Sequence, residues 1–249
     1  MSFEPATPDA ESRRAWRQGL SVAVATSAYG ISFGALAVAA GLDVWQTCVL
    51  SLVMFTGGSQ FAFVGVFAAG GLAAVPAAIA SASLLGVRNV AYGMRMSPVL
   101  GTGFWRRAAA AHFTIDESTA VSLAQTTPRA RTLGFWVTGI GIYIGWNLST
   151  LAGALLGDVL GDPRAYGLDA AAAAAFLALL WPRLRHRQPI AVGIAAAVVA
   201  IVLTPALMPG VPVLVAAAVA VLVGWFNWLG VGAEPPEEPE DVAERGGLP

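Results

Sequence analysis

The sequence predicts an all-α, polytopic membrane bundle of about seven or eight transmembrane helices, some of them broken or short. Three observations carry this. First, 57% of the 249 residues are hydrophobic and 12% charged, with a mean hydropathy of +0.68. That leaves too little polar surface to face water in a soluble domain of this size. Second, the apolar runs are continuous, whereas a β-barrel needs strands of alternating polarity. Third, arginines gather where apolar runs begin or end: Arg13, Arg14 and Arg17, then Arg129, then Arg183, Arg185 and Arg187. That is the pattern of the positive-inside rule.

The elements follow in order. Residues 1–18 form a polar N-terminal arm placed in the cytoplasm by its arginines, and the stretch lacks the features of a secretory signal. Residues 19–231 are the transmembrane domain, and residues 232–249, rich in Pro and Glu, read as a disordered acidic cytoplasmic tail. Gly19 to Gly41 is the first crossing, Asp43 marks an outer turn, and Trp45 to Ala69 returns inward to a turn at Gly70-Gly71. Leu72 to Val87 is too short to cross by itself, so the third crossing must take in Arg88, Asn89 and Tyr92. Ala108 to Gln125 carries His112, Asp116 and Glu117 and is a span or half-span inside the bundle. If it crosses, there are eight spans and both chain ends are inside. Arg88, Arg95, Arg106 and Arg107 then fall toward the outer half, unless this hairpin re-enters. Phe135 to Leu156, Leu168 to Trp181, Pro189 to Met208 and Val211 to Leu229 complete the bundle. Trp225 and Trp228 are interfacial anchors for the last of these.

Gly141, Gly145, Ser149, Gly153 and Gly157 recur every four residues and make a small-residue groove along one helix face. Gly30 and Gly34 repeat the spacing in the first span. Such a groove admits another helix closely, either of the same chain or of a second protein.

Four places carry chemistry. Gly57, Gly58, Ser59 and Gln60 interrupt an apolar segment near mid-membrane, where a broken helix is tolerated only against protein or a cavity and its free N–H groups suit a carboxylate. Arg88 and Asn89 come next: Arg88 can clamp a carboxylate, neutralise Asp116 or snorkel to headgroups. Asp116 and Glu117 are the acids outside the predicted loops between Ser12 and Ala233, which makes them candidates for proton or cation coupling, with His112 one turn before. Asn147, mid-span, is interhelical glue or a ligand contact. One cysteine, Cys48, excludes an internal disulfide, and neither a metal pattern nor a basic face for nucleic acid is present. No cofactor is expected.

The ordered set Phe55-Thr56-Gly57-Gly58-Ser59-Gln60-Phe61, Val87-Arg88-Asn89-Val90-Ala91-Tyr92-Gly93 and Thr114-Ile115-Asp116-Glu117 resembles the AzlC-type large subunit of branched-chain amino-acid exporters. The family commonly has Ala where this chain has Gly58, often His where it has Asn89, and no residue matching Ile115 between Thr and Asp. The resemblance implies proton-coupled export of valine, leucine and isoleucine across the inner (plasma) membrane, with a small AzlD-type membrane subunit as partner. The Gly141–Gly157 groove is the first place to expect that partner. The carboxylate of the substrate would meet Gly57–Gln60 and Arg88, its ammonium Asp116 or Glu117, and its side chain Phe55, Phe61 and Phe63. Two rivals stand beside this reading: an uncoupled channel or scaffold subunit, and an intramembrane hydrolase on Ser59 and His112, which lacks a nucleophile-elbow context. The expected class is a transporter, not an enzyme.

Overall fold

The computed structural model describes residues 8–160, 177, 180–181, 184, 187–208 and 210–226. Among these the fold is helical without strands: α1 (Pro8–Ala39), α2 (Val44–Val53), α3 (Gly57–Gly70), a 3-10 turn (Gly71–Ala74), α4 (Val75–Leu100), α5 (Phe104–His112), α6 (Asp116–Leu123), α7 (Pro128–Leu160), α8 (Arg187–Leu203) and α9 (Val211–Phe226). The predicted helical membrane bundle with broken and short helices is therefore present. The expected span Leu168–Trp181 and the tail fall largely or wholly outside the described residues.

The frame is α1 packed parallel to α7. Gly141 abuts Ala23, Gly145 abuts Ser27, Gly153 abuts the Ile31 carbonyl and Gly157 abuts Ala35. In return Gly30 lies on the Trp146 carbonyl and Gly34 on that of Thr150. The four-residue repeat on each helix lets two backbones touch along their length. The groove expected to receive a second subunit is thus filled by α1 of the same chain. Because the two helices run parallel, their starts share one end of the bundle. Glu11 accepts hydrogen bonds there from the backbone N–H groups of Thr126 (2.6 Å) and Thr127 (3.1 Å) and from the Thr126 hydroxyl, and Gln125 donates to Gln18 at 2.9 Å. This end carries Arg13, Arg14, Arg17, Arg129 and Arg131. It is the end that the positive-inside rule expects on the cytoplasmic side, and inner and outer are used in that sense.

The segment Trp45–Ala69 does not cross. Asp43 caps α2 through a reciprocal pair with Gln46 (2.7 and 3.0 Å), and α2 descends from the outer end along α7, where Ser51 and Thr150 share a hydrogen bond of 3.3 Å. The chain unwinds at Met54–Thr56. Then α3 climbs back: Phe61 meets Phe33, and Val66 and Phe67 join a cluster with Ala74 and Ala78 that packs on Ala40 and Leu42, just beyond the end of α1. Gly70-Gly71 therefore turns at the outer end, not the inner one. The unwound residues also differ from expectation: Gly57 and Gly58 begin α3 rather than forming the break.

From that outer turn α4 runs inward for 26 residues, about 39 Å. Its last turns reach the start of α7, with Met96 and Leu100 clustered on Phe135 and the Thr132 hydroxyl donating to the Val99 carbonyl at 3.3 Å. There α5 re-enters the bundle. Ala110 packs in that same cluster, and His112 and Phe113 reach Tyr143, deeper along α7. After Phe113–Ile115, which packs at Gly139, α6 returns to the inner end past Gly134 and finally Arg131, whose Nε donates to the Gln125 carbonyl at 2.8 Å. Residues 108–125 are thus the end of the entering leg, the tip and the returning leg of a re-entrant hairpin, and the eight-span count with this segment crossing does not hold. Arg95, Arg106 and Arg107 sit toward the inner end, so the charge conflict that a crossing would create disappears.

Two V-shaped hairpins result, one from each end. In the outer V, α2 lies on α7 and α3 on α4; in the inner V, α5 lies on α4 and α6 on α7. Their tips meet between α4 and α7, where Phe55 stands 5.8 Å from His112 and 6.1 Å from Phe113, ring centre to ring centre. Beyond them α8 and α9 pair with each other, α9 leans on α4, and their turn at Gly210 touches Val66 and Ala77 at the outer end.

Candidate functional site

Each V tip is closed by one polar side chain. Gln60 closes the outer tip. Its Nε2 donates to the Met54 carbonyl at 2.6 Å and the Ser51 carbonyl at 3.4 Å, and its Oε1 accepts from Trp146 Nε1 at 2.8 Å. Those carbonyls lose helical partners where the chain unwinds, so a buried amide supplies them. Ser118 closes the inner tip: its hydroxyl donates to the Phe113 carbonyl at 2.7 Å and accepts from the Ile115 N–H at 3.1 Å.

With the tips held, the starts of α3 and α6 both point into the middle of the bundle. The first N–H groups of each helix have no acceptor within it, and each start carries partial positive charge. Arg88 of α4 lies between them. Its Nη2 is 3.1 Å from Asp116 Oδ2, at the start of α6. The same nitrogen rests on α3: a Cβ at Gly58 would come within 2.7 Å of it. Glycine at position 58 is what lets the guanidinium lie against the helix start.

The pair is not sealed. Arg88 and Asp116 are 29% and 35% exposed, enough for water or a small solute to reach them. Around it stand polar atoms without a protein partner: Arg88 Nε, Asp116 Oδ1, Asn89 Oδ1 and the hydroxyl oxygens of Ser59 and Thr119. Buried polar groups are ordinarily paired, which makes this place a candidate for a ligand. An aromatic wall adjoins it, in which Phe55, Phe113, Tyr143 and His112 pack with ring centres 5.0 to 6.1 Å apart.

The structure brings Gly58, Arg88 and Asp116 together. Gly57 begins the same helix turn but faces the Trp146 ring, with a would-be Cβ 3.2 Å from it. Ser59 is buried and faces Gly86. Asn89 follows Arg88, and Glu117, half-buried, follows Asp116. Asn147 donates to the Tyr143 carbonyl at 2.7 Å, one turn back on its own helix, leaving its Oδ1 without a partner. Gln60 is present at the tip with its amide committed to backbone and Trp146. His112 is not joined to Asp116: among the described residues its ring makes aromatic contacts and no hydrogen bond. The three phenylalanines expected to line one pocket meet in one apolar cluster, Phe55 and Phe61 within it and Phe63 packed against it, and differ in their ring partners. Phe55 is at the tips, Phe61 packs on Phe33 and Trp146, and Phe63 stacks on Phe67. Trp146, Tyr143, Phe113 and Ser118 were not singled out by sequence. The one available signal was Trp146 next to Asn147 in mid-span. No group of three His, Cys, Asp or Glu placed to hold a metal occurs among the described residues.

No curated protein and no solved structure matches the chain. A family model does: the one described as AzlC protein matches residues 21–160, a stretch that runs from α1 to the end of α7 and includes both hairpins and Arg88. This covers more than half of the 249 residues, and the chain belongs to the AzlC family, a family of membrane transport proteins.

Proposed function

We propose that this chain is the large subunit of a two-component secondary transporter that exports branched-chain or similar small apolar amino acids from the cytoplasm, driven by the proton gradient. The observation that carries the reading is the Arg88–Asp116 pair at the meeting point of two re-entrant hairpins from opposite ends. A site reached by one hairpin from each end suits alternating access, because moving either hairpin opens the same place to one side.

The chemistry of the site suits a zwitterion. Arg88 and the α3 start offer donors to a carboxylate, and Asp116 or Glu117 offers acceptors to an ammonium. The aliphatic side chain would lie on Phe55, Phe113 and Tyr143, where one methylene changes affinity by only about 1–3 kcal/mol, so a mixed branched-chain spectrum is expected. In the closed arrangement Asp116 occupies Arg88 itself. Substrate carboxylate would take over Arg88 and release Asp116 to bind the ammonium or a proton. One proton moved across 100 mV contributes roughly 2.3 kcal/mol, enough to drive export uphill. A small AzlD-type membrane subunit is the proposed partner; its place is elsewhere than the Gly141–Gly157 groove.

Leucine efflux from vesicles under an imposed proton gradient tests the reading. Asp116→Asn should abolish gradient-driven efflux and leave the protein folded. Wild-type efflux from that variant would reject Asp116 as the coupling group, and no efflux from the parent, with or without a small membrane partner, would reject the transport assignment.

A further inference from the structure

Three of the four hairpin legs around the Arg88–Asp116 pair are tied firmly. The outer V is held by Gln60 and by the Ser51–Thr150 hydrogen bond. In the inner V, α6 is held along its length: Val121 packs against Gly134, Gln125 is bonded to Gln18 and Arg131, and the following turn is bonded to Glu11. By contrast, α5 is held lightly. Of its alanines Ala108 to Ala111, Ala110 is buried and the other three are exposed. Its polar tie is a hydrogen bond from Arg107 to the Ser97 hydroxyl on α4. At its start Phe104 and Trp105 are 75% and 82% exposed, so no protein packs over them.

A cleft separates α5 from α4, lined by Gly93, Ser97, Arg107, Ala111 and Thr114 among others. Gly93 is five residues along α4 from Arg88, and Thr114 is two residues before Asp116, so the cleft runs from the Arg107 end toward the depth of the pair without including it. The connection at the inner end is built on glycine. Gly101 (φ 81°) and Gly103 (φ 111°) link α4 to α5 in the left-handed region that glycine alone enters freely. At the other end of α5 lies the unwound tip Phe113–Ile115.

We infer that solute reaches the Arg88–Asp116 pair from the inner end through this cleft, and that α5 is the leg that swings on Gly101 and Gly103 to open it, with Arg107 on Ser97 as its latch. The inference rests on the transport reading above and adds the route and the moving part.

The test uses the full chain, with its partner if export requires one, in a Cys48→Ser background. Ser97→Cys and Arg107→Cys are combined and bridged with a short bis-methanethiosulfonate, the single-cysteine variants serving as controls. The unbridged double variant should export leucine. Bridging should cut efflux by about tenfold or more, and thiol reductant should restore it, as for a step gated by a lid. A second variant needs no bridge: Gly93→Trp fills the cleft where a Cβ meets nothing within 4 Å, and should block efflux at unchanged thermal stability. Undiminished efflux from either the bridged protein or Gly93→Trp overturns the inference. Absence of leucine efflux from the parent and the unbridged variant alike is instead a failure of the transport reading.

Discussion

Replacing Gln60 by leucine separates holding the outer tip from binding solute. Leucine has a similar volume and no polar atoms. The substitution leaves the Trp146 Nε1–H without its partner and the Met54 carbonyl with only the Thr56 N–H, at 2.8 Å; the lost bonds are 2.8 and 2.6 Å long and Gln60 is fully buried. The bond to the Ser51 carbonyl, at 3.4 Å, is long enough to ignore. A buried polar group stripped of its partner loses about 1–3 kcal/mol, which here applies to the Trp146 Nε1–H. Interhelical hydrogen bonds in membranes average nearer 0.6 kcal/mol, because freed groups find other partners. The Met54 carbonyl already has another donor in the Thr56 N–H, so little is lost there. The expected loss is therefore about 1–3 kcal/mol. Reversible unfolding in mixed detergent micelles would measure it. Gln60→Glu should be at least as damaging, because a carboxylate cannot donate to the Met54 carbonyl. A loss under about 0.5 kcal/mol with a raised KM for leucine would refute the reasoning and make Gln60 a substrate contact.

Three other outcomes follow from the same geometry. Gly58→Ala puts a methyl 2.7 Å from Arg88 Nη2, the movable end of a long side chain; stability should barely change while leucine binding weakens, and Gly93→Ala, with open space around it, should be silent in both assays. Gly153→Ala drives a methyl into the Ile31 backbone, 2.7 Å from its carbonyl carbon, so α1 and α7 must separate; thermal unfolding should show a loss of about 1–3 kcal/mol. Glu11 is held at about 2, below the usual 4.5, by hydrogen bonds from the Thr126 hydroxyl, the Thr126 N–H and Thr127. A depressed folded-state value means the tie contributes in full above 4.5 and fades as pH falls toward 2, so the lower midpoint of Glu11→Gln at pH 7 should converge on the parent's across that window.

Much of this fold is legible in the sequence. Composition and the Arg clusters give a helical membrane bundle, the Gly30–Gly34 and Gly141–Gly157 repeats give the close pair that proves to be α1 on α7, and the polar breaks near Gly57 and Asp116 lie where the tips form. The direction of the chain after each break is not legible. Trp45–Ala69 has the length and hydropathy of a crossing, and a tip of three residues, Met54–Thr56, reverses it without any change in composition. Hydropathy measures depth along a segment, not whether the segment turns back. The Arg residues held the missing information: a crossing at 108–125 would strand Arg95, Arg106 and Arg107 toward the outer half, and re-entry removes that strain on the charge rule. At the site, Arg88, Asp116 and Gly58 could be nominated one by one from residue type and depth. Their partners could not, because Trp146 on Gln60 and Ser118 on the Phe113 carbonyl are set by tertiary contact. The phenylalanines illustrate the same limit: Phe55, Phe61 and Phe63 meet in one apolar cluster, but their ring partners, His112, Trp146 and Phe67 among them, are set by tertiary contact.

The account depends most on two hairpins that enter from opposite ends and meet at Arg88 and Asp116. Leu72, 84% exposed beside the Gly70-Gly71 turn, and Thr102, exposed between α4 and α5, mark their open ends. Single cysteines at these positions in a Cys48→Ser background, labelled with a membrane-impermeant thiol reagent in right-side-out and inside-out vesicles, report the side directly. Leu72→Cys should label only from the outside and Thr102→Cys only from the cytoplasmic side. Labelling of Leu72→Cys from the cytoplasmic side would mean that Trp45–Ala69 crosses the membrane, and would contradict the account.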